Sequence, residues 1–162
     1  MSNIKNFILD VDGVMTSGKF LYSTKGKIYK EFGAHDSDGL KILSKYINIE
    51  FITADKRGLG ISKSSISKDM GFKLTLVPEE NRYEFFKAKF GFKNTIYMAD
   101  GIYDAKILKE CHFSITPNNA RKEAKKYSDY ITPSNSAEGA VLDACIKIMK
   151  RFFKHEADKY PF

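Results

Sequence analysis

The chain has 162 residues, 43% of them hydrophobic and 29% charged, a globular composition that excludes a disordered chain and suffices for one domain with a buried core. Its net charge of +7 is spread along the chain. The densest basic groups, 121–126 and 147–154, lie at helical spacing without interleaved aromatic residues, so no nucleic-acid partner is expected. No stretch approaches the roughly 20 apolar residues that cross a bilayer, residues 1–11 carry no signal-peptide pattern, and Cys111 and Cys145 have no zinc or disulfide-framework spacing. The expectation is a cytoplasmic, soluble protein with reduced thiols and no membrane partner.

In chain order, the apolar run 7–11 predicts a first buried strand. Residues 19–32 alternate in strand fashion on either side of Thr24-Lys25-Gly26-Lys27 and predict a β-hairpin inserted after it, either a lid or a subunit contact. A helix is predicted over 39–46, a strand over 49–53, a helix over 61–70, a strand over 73–77 and a helix over 82–90. Then follow a strand at 95–99, helix 103–110, strand 113–115, helix 120–126, strand 130–131 and helix 137–153. This alternation predicts an α/β, Rossmann-like three-layer fold: a parallel sheet with helices on both faces, interrupted by the hairpin. The domain is expected to span 1–154, and the polar residues 155–162 to form a mobile C-terminal tail.

Ligands in such sheets bind beyond the carboxyl ends of the strands. The polar residues there are Asp10-Val11-Asp12-Gly13 after the first strand, Thr53-Ala54-Asp55 after the second, and Asp100 with Asp104 after the fourth. Carboxylates gathered at one sheet edge repel one another, and a divalent cation removes that cost. Oxygen donors with retained waters suit Mg2+, with Asp10 and Asp100 as side-chain ligands and Asp12 contributing its carbonyl. A cation beside phosphate suggests phosphoryl chemistry on a small anionic phosphorylated substrate. Asp10 is placed to attack phosphorus as a nucleophile, and Asp12 to protonate the leaving alcohol and then activate water. Gly13 permits the tight turn that aims amides at the phosphate. Thr53 and the amides after it, from Ala54 onward, bind a phosphate oxygen. Arg82, near the start of the helix after the third strand, is the candidate cation that balances transition-state charge.

With these residues the sequence resembles the haloacid dehalogenase superfamily of aspartate-nucleophile phosphatases, whose first motif is D-x-D-G. The match extends through Asp10-Val11-Asp12-Gly13-Val14-Met15-Thr16-Ser17-Gly18 and, within the superfamily, is similar to the capless branch of 3-deoxy-octulosonate 8-phosphate and nonulosonate 9-phosphate phosphatases. Residues 32–43, 97–104 and Glu138-Gly139-Ala140-Val141 share the likeness. The resemblance implies that Asp10 is the nucleophile, Asp12 the acid/base, Thr53 the phosphate binder, Asp100 a magnesium ligand and Asp104 a supporting acidic residue. It also implies a homotetramer joined through the hairpins, in which a neighbouring subunit covers the active site, and a place in lipopolysaccharide biosynthesis.

Three positions depart from the family pattern: Arg82 stands where a lysine is usual, Asp55 where the second motif carries arginine, and Gly101 where the fourth motif has a second aspartate. Other readings therefore stay open, namely a phosphatase for another small phosphomonoester, or a catalytically weak relative with an oligomerisation or regulatory role. A phosphoacceptor receiver domain is disfavoured, because a hairpin rather than a helix follows the first strand. His35, Asp36 and Asp38 read either as contributors to a neighbour's site or as a polar helix N-terminus.

Overall fold

The computed structural model describes residues 4–162. Strand β1 (Asn6–Asp10) lies at the centre of a six-stranded sheet, flanked by β4 (Asn48–Thr53) and β6 (Thr95–Met98). β5 (Lys73–Leu76) extends the sheet beyond β4, and β7 (Phe113–Thr116) and β8 (Tyr130–Ile131) extend it beyond β6. All neighbouring strands pair in parallel. The strands are apolar on both faces, as a sheet covered on both sides requires. Phe7, Leu9, Phe51, Ile96 and Met98 face one core, where α1 (Asp36–Leu43) and α6 (Ala140–Phe152) supply Leu40, Leu43, Val141 and Ile148. Ile8, Ile52, Tyr97 and Ala99 face the other, packed by Phe86 of α3 (Glu79–Lys89), Ile107 and Leu108 of α4 (Ala105–Glu110) and Ala124 of α5 (Lys122–Lys125). The expected three-layer α/β fold is therefore the observed one.

The predicted hairpin forms a separate two-stranded antiparallel sheet of β2 (Thr16–Ser23) and β3 (Gly26–Phe32). It starts three residues earlier than the alternation indicates, because a register irregularity between Thr16 and Phe20 hides the first pairing. The predicted helix 61–70 divides into a short turn, α2 (Leu59–Ser62), and a π-helix over Lys63–Asp69. Four serines, Ser62, Ser64, Ser65 and Ser67, lie here, residues of weaker helix propensity than the alanine or leucine of a regular helix. A 3-10 turn, Ile102–Asp104, precedes α4.

Helix α1 begins at Asp36, three residues before the predicted start. Gly39 had marked the boundary, yet it sits within the helix, where a Cβ would lie 3.0 Å from Leu142 Cα of α6. Close helix packing, not a helix end, explains that glycine. The residues expected as a mobile tail fold back: α7 (Lys154–Ala157) buries Ala157 against the first core, and the Tyr160 hydroxyl lies 3.3 Å from that of Tyr46. Among the described residues no helix is long and apolar enough to cross a membrane.

Candidate active site

The chain reverses direction across the sheet at β1: β4 and β5 follow on one side, β6 to β8 on the other. A cleft of about 520 Å³ opens at the carboxyl ends of the central strands, where such a switch point places ligands. Asp10 ends β1, Thr53 ends β4, and Asp100 follows β6 by two residues. Asp10, Asp12, Thr53, Ala54, Arg82, Asp100 and Asp104 all line this cleft, so the residues singled out at separate strand ends meet in one place. Gly13 holds the loop against Asp100: its φ is +84°, and a Cβ there would lie 2.1 Å from Asp100 Oδ2. No other residue type fits that approach.

Two ion-pair clusters organise the charges. In the first, Arg82, near the start of α3 and almost fully buried, stands 3.3 Å from Asp10 Oδ1 through Nη2 and donates from Nη1 to Asp104 Oδ1 at 2.7 Å. Tyr97 donates its hydroxyl to the same Asp104 oxygen at 2.6 Å, and the Gly101 amide donates to Asp104 Oδ2 at 3.2 Å. Burial pushes the Asp10 carboxyl up, against the pull of Arg82 and with help from the neighbouring carboxylates. Burial alone would lower the Arg82 guanidinium, but Asp10, Tyr97 and Asp104 outweigh it and keep it protonated.

The second cluster comes from the hairpin and was not visible in the sequence. Lys30 Nζ lies 2.8 Å from Asp12 Oδ1 and 2.9 Å from Asp55 Oδ2, and it donates to Ser62 Oγ at 2.9 Å. Lys27 Nζ pairs with Asp55 Oδ2 at 2.5 Å beneath the Phe20 ring, 3.4 Å from its centroid. Burial raises the Asp55 carboxyl, but the two ammonium groups outweigh it and bring it down to about 2. The acidic residue at position 55, where the family pattern carries arginine, is thus balanced by two lysines.

Asp100 belongs to neither cluster: it makes no ion pair among the described residues. Burial, then the negative charge of Asp104, pushes its carboxyl up to about 7. One carboxylate oxygen from each of Asp10, Asp100 and Asp104 lies within 4.8 Å of the others, a donor set that suits a hard divalent cation. Three donors already occupy Asp104, which leaves Asp10 and Asp100 with free lone pairs facing the cleft. Thr53 Oγ1 accepts the Asp55 amide at 3.1 Å and keeps its own proton for an acceptor in the cleft. Gly13 makes the tight turn expected of it, its own amide reaching Thr16 Oγ1 at 3.4 Å, and Thr16 donates to Asp12 Oδ1 at 3.2 Å.

Asp36 does not reach any site. It is fully buried, and its Oδ1 accepts the Val141 and Leu142 amides at 2.9 and 3.1 Å, serving the first turn of α6. Asp38 and His35 are exposed.

A parallel α/β sheet with clustered aspartates beyond its central strands, two of them in the loop after the first strand, defines a class of hydrolase. The chain belongs to the haloacid dehalogenase-like hydrolases, whose family pattern matches residues 15–144. Among its relatives, the 3-deoxy-D-manno-octulosonate 8-phosphate phosphatase of Haemophilus influenzae is 29% identical, the match covering 93% of this chain and 85% of the relative. The enzyme of that name from Escherichia coli K12 is 26% identical, over 88% of this chain and 78% of its own. The crystal structure of the Moraxella catarrhalis phosphatase of the same name, in complex with magnesium, phosphate and a KDO molecule, superposes with a TM-score of 0.81. It is 26% identical, and the alignment covers 98% of this chain and 95% of that one.

Proposed function

We propose that the chain is a magnesium-dependent phosphomonoester hydrolase that works through an aspartyl-phosphate on Asp10. Its substrate is a sugar-acid phosphate of the 3-deoxy-octulosonate 8-phosphate or nonulosonate 9-phosphate class. The observation that carries the reading is the division of labour among the cleft carboxylates. Asp10 and Asp12 stand together at the end of the central strand, while Asp100 is left without a counter-charge beside them. The names of the relatives support the substrate class.

Asp10 and Asp100, with the Asp12 carbonyl, would hold the cation. Magnesium, when bound, neutralises the crowded carboxylates and draws charge from the phosphoryl oxygens. An Asp10 carboxylate oxygen attacks phosphorus and the ester P–O bond breaks. The departing alkoxide takes its proton from the Asp12 carboxyl. A water then attacks the aspartyl-phosphate and gives a proton to Asp12, and the Asp10–phosphorus bond breaks to release inorganic phosphate. The Thr53 hydroxyl and the Ala54 amide bind a phosphoryl oxygen, and Arg82 supplies fixed positive charge beside Asp10. Asp104 holds Arg82 in that place.

The test is steady-state phosphate release from a panel of sugar-acid and simple phosphomonoesters, with magnesium and after its removal by chelation, for wild type beside Asp10→Asn. The expected result is turnover that needs magnesium and falls to background in Asp10→Asn. Equal, negligible release from both proteins would leave the weak-relative reading in its place.

A further inference from the structure

The reaction above uses Asp12, yet nothing in it accounts for the charge packed behind that residue. Lys30 is a lysine on a hairpin strand, where neighbouring side chains are exposed, but its own side chain is 0% exposed. An ammonium group has three protons to donate, and here Asp12, Asp55 and Ser62 take them, all at 2.8 to 2.9 Å. A buried ammonium with every donor satisfied by convergent partners is a fixed charge, not a mobile side chain. The partners come from three separated parts of the chain: the loop after β1, the loop after β4, and the end of α2.

We propose that Lys30 is a positioning residue for the hydrolase reaction, and that through it the hairpin root holds the Asp12 carboxyl against the cleft wall in the orientation that serves the leaving group. The inference rests on the acid/base role given to Asp12 above. The only other side chain holding Asp12 among the described residues is Thr16, by one hydrogen bond of 3.2 Å. Without Lys30 the carboxyl would keep that single tether and turn toward solvent. Among the described residues Lys30 makes no hydrogen bond or ion pair with Asp10, Asp100, Thr53 or Arg82, and it does not line the cleft, so its effect passes through Asp12.

The consequence is specific to the step in which the leaving oxygen departs. kcat/KM reports steps only up to that departure, and proton donation matters more as the leaving group becomes poorer. The experiment measures kcat/KM for ring-substituted phenyl phosphates, from p-nitrophenyl to p-methoxyphenyl, in magnesium. It compares wild type with Lys30→Met, Ser62→Ala and Asp12→Asn. Lys30→Met is expected to lose about tenfold more on the p-methoxyphenyl ester than on the p-nitrophenyl ester, following the slope of Asp12→Asn. Ser62→Ala, which removes one acceptor and leaves both ion pairs, is expected to show the same trend to a smaller extent, and it carries the test if Lys30→Met does not fold. A uniform loss across the series, or none, in the folded variants overturns the positioning role while leaving the phosphatase intact. A wild type that hydrolyses no ester, or an Asp12→Asn with no leaving-group trend, overturns the underlying reading and this inference with it.

Discussion

Asp55 shows how a single residue type can change the charge plan of a cleft. Its carboxyl has an ordinary value of 3.8 and is brought to about 2 in the folded chain by Lys27 and Lys30, against the opposing effect of burial. Because folding lowers this value, Asp55 contributes stability that is complete above about pH 4 and is lost as pH falls through about 2. The stability difference between wild type and Asp55→Asn, read from urea unfolding, should therefore narrow between about pH 5 and pH 2. A difference that stays constant over that interval would mean that folding does not lower the Asp55 carboxyl. At this scale part of the cleft was legible. Asp10, Thr53 and Asp100 each follow a buried apolar strand, so local pattern alone puts them at one sheet edge, and the structure places them there. Lys27, Lys30 and Thr16 left no such mark. On a hairpin, lysines among exposed neighbours read as solvated, and only contacts 18 to 32 residues away in sequence turn Lys30 inward.

At the scale of elements, the order of strands and helices was readable because each buried strand is a short apolar run between turn residues. The boundaries were less so, and for tertiary reasons. Gly39 is read from the sequence as the start of a helix but lies inside α1, at the point where α1 approaches α6. Asp36 looks like an N-terminal residue of its own helix, yet it accepts two amides from the first turn of α6, 105 and 106 residues away. Burial pushes its carboxyl up, and its second oxygen has no partner. Asp36→Ala should destabilise the chain by about 1–3 kcal/mol, since two helix amides lose their acceptor inside the protein. Chemical denaturation would show this as a lower midpoint with an unchanged slope. A midpoint equal to wild type would mean that water replaces the carboxylate there.

For the whole molecule, the hairpin is the outstanding surface feature. Leu21, Tyr22, Ile28 and Tyr29 are exposed by 62%, 54%, 43% and 63%, and Leu21 lies directly opposite Tyr29 across the two strands, exposed apolar surface of the kind that marks association. It supports the homotetramer proposed from the family resemblance, with the hairpins at its centre. Sedimentation velocity of wild type and of a Leu21→Glu, Tyr29→Glu double variant checks this. The expected outcome is a tetramer for wild type and a smaller species for the variant, and a monomeric wild type would refute it.

The same hairpin is anchored through Lys27 and Lys30 to Asp55 and Ser62, which bears on how the chain can be recombined with its relatives. A crossover anywhere between residues 31 and 54 would draw the two lysines from one parent and position 55 from the other. If that parent carries arginine there, three cations converge on a space built for one carboxylate, and Asp12 is left as their sole counter-charge. With Asp12 also held by Lys30, the segment from 12 to 62 is thus a unit of inheritance, and shuffled chains should be joined before it or after it.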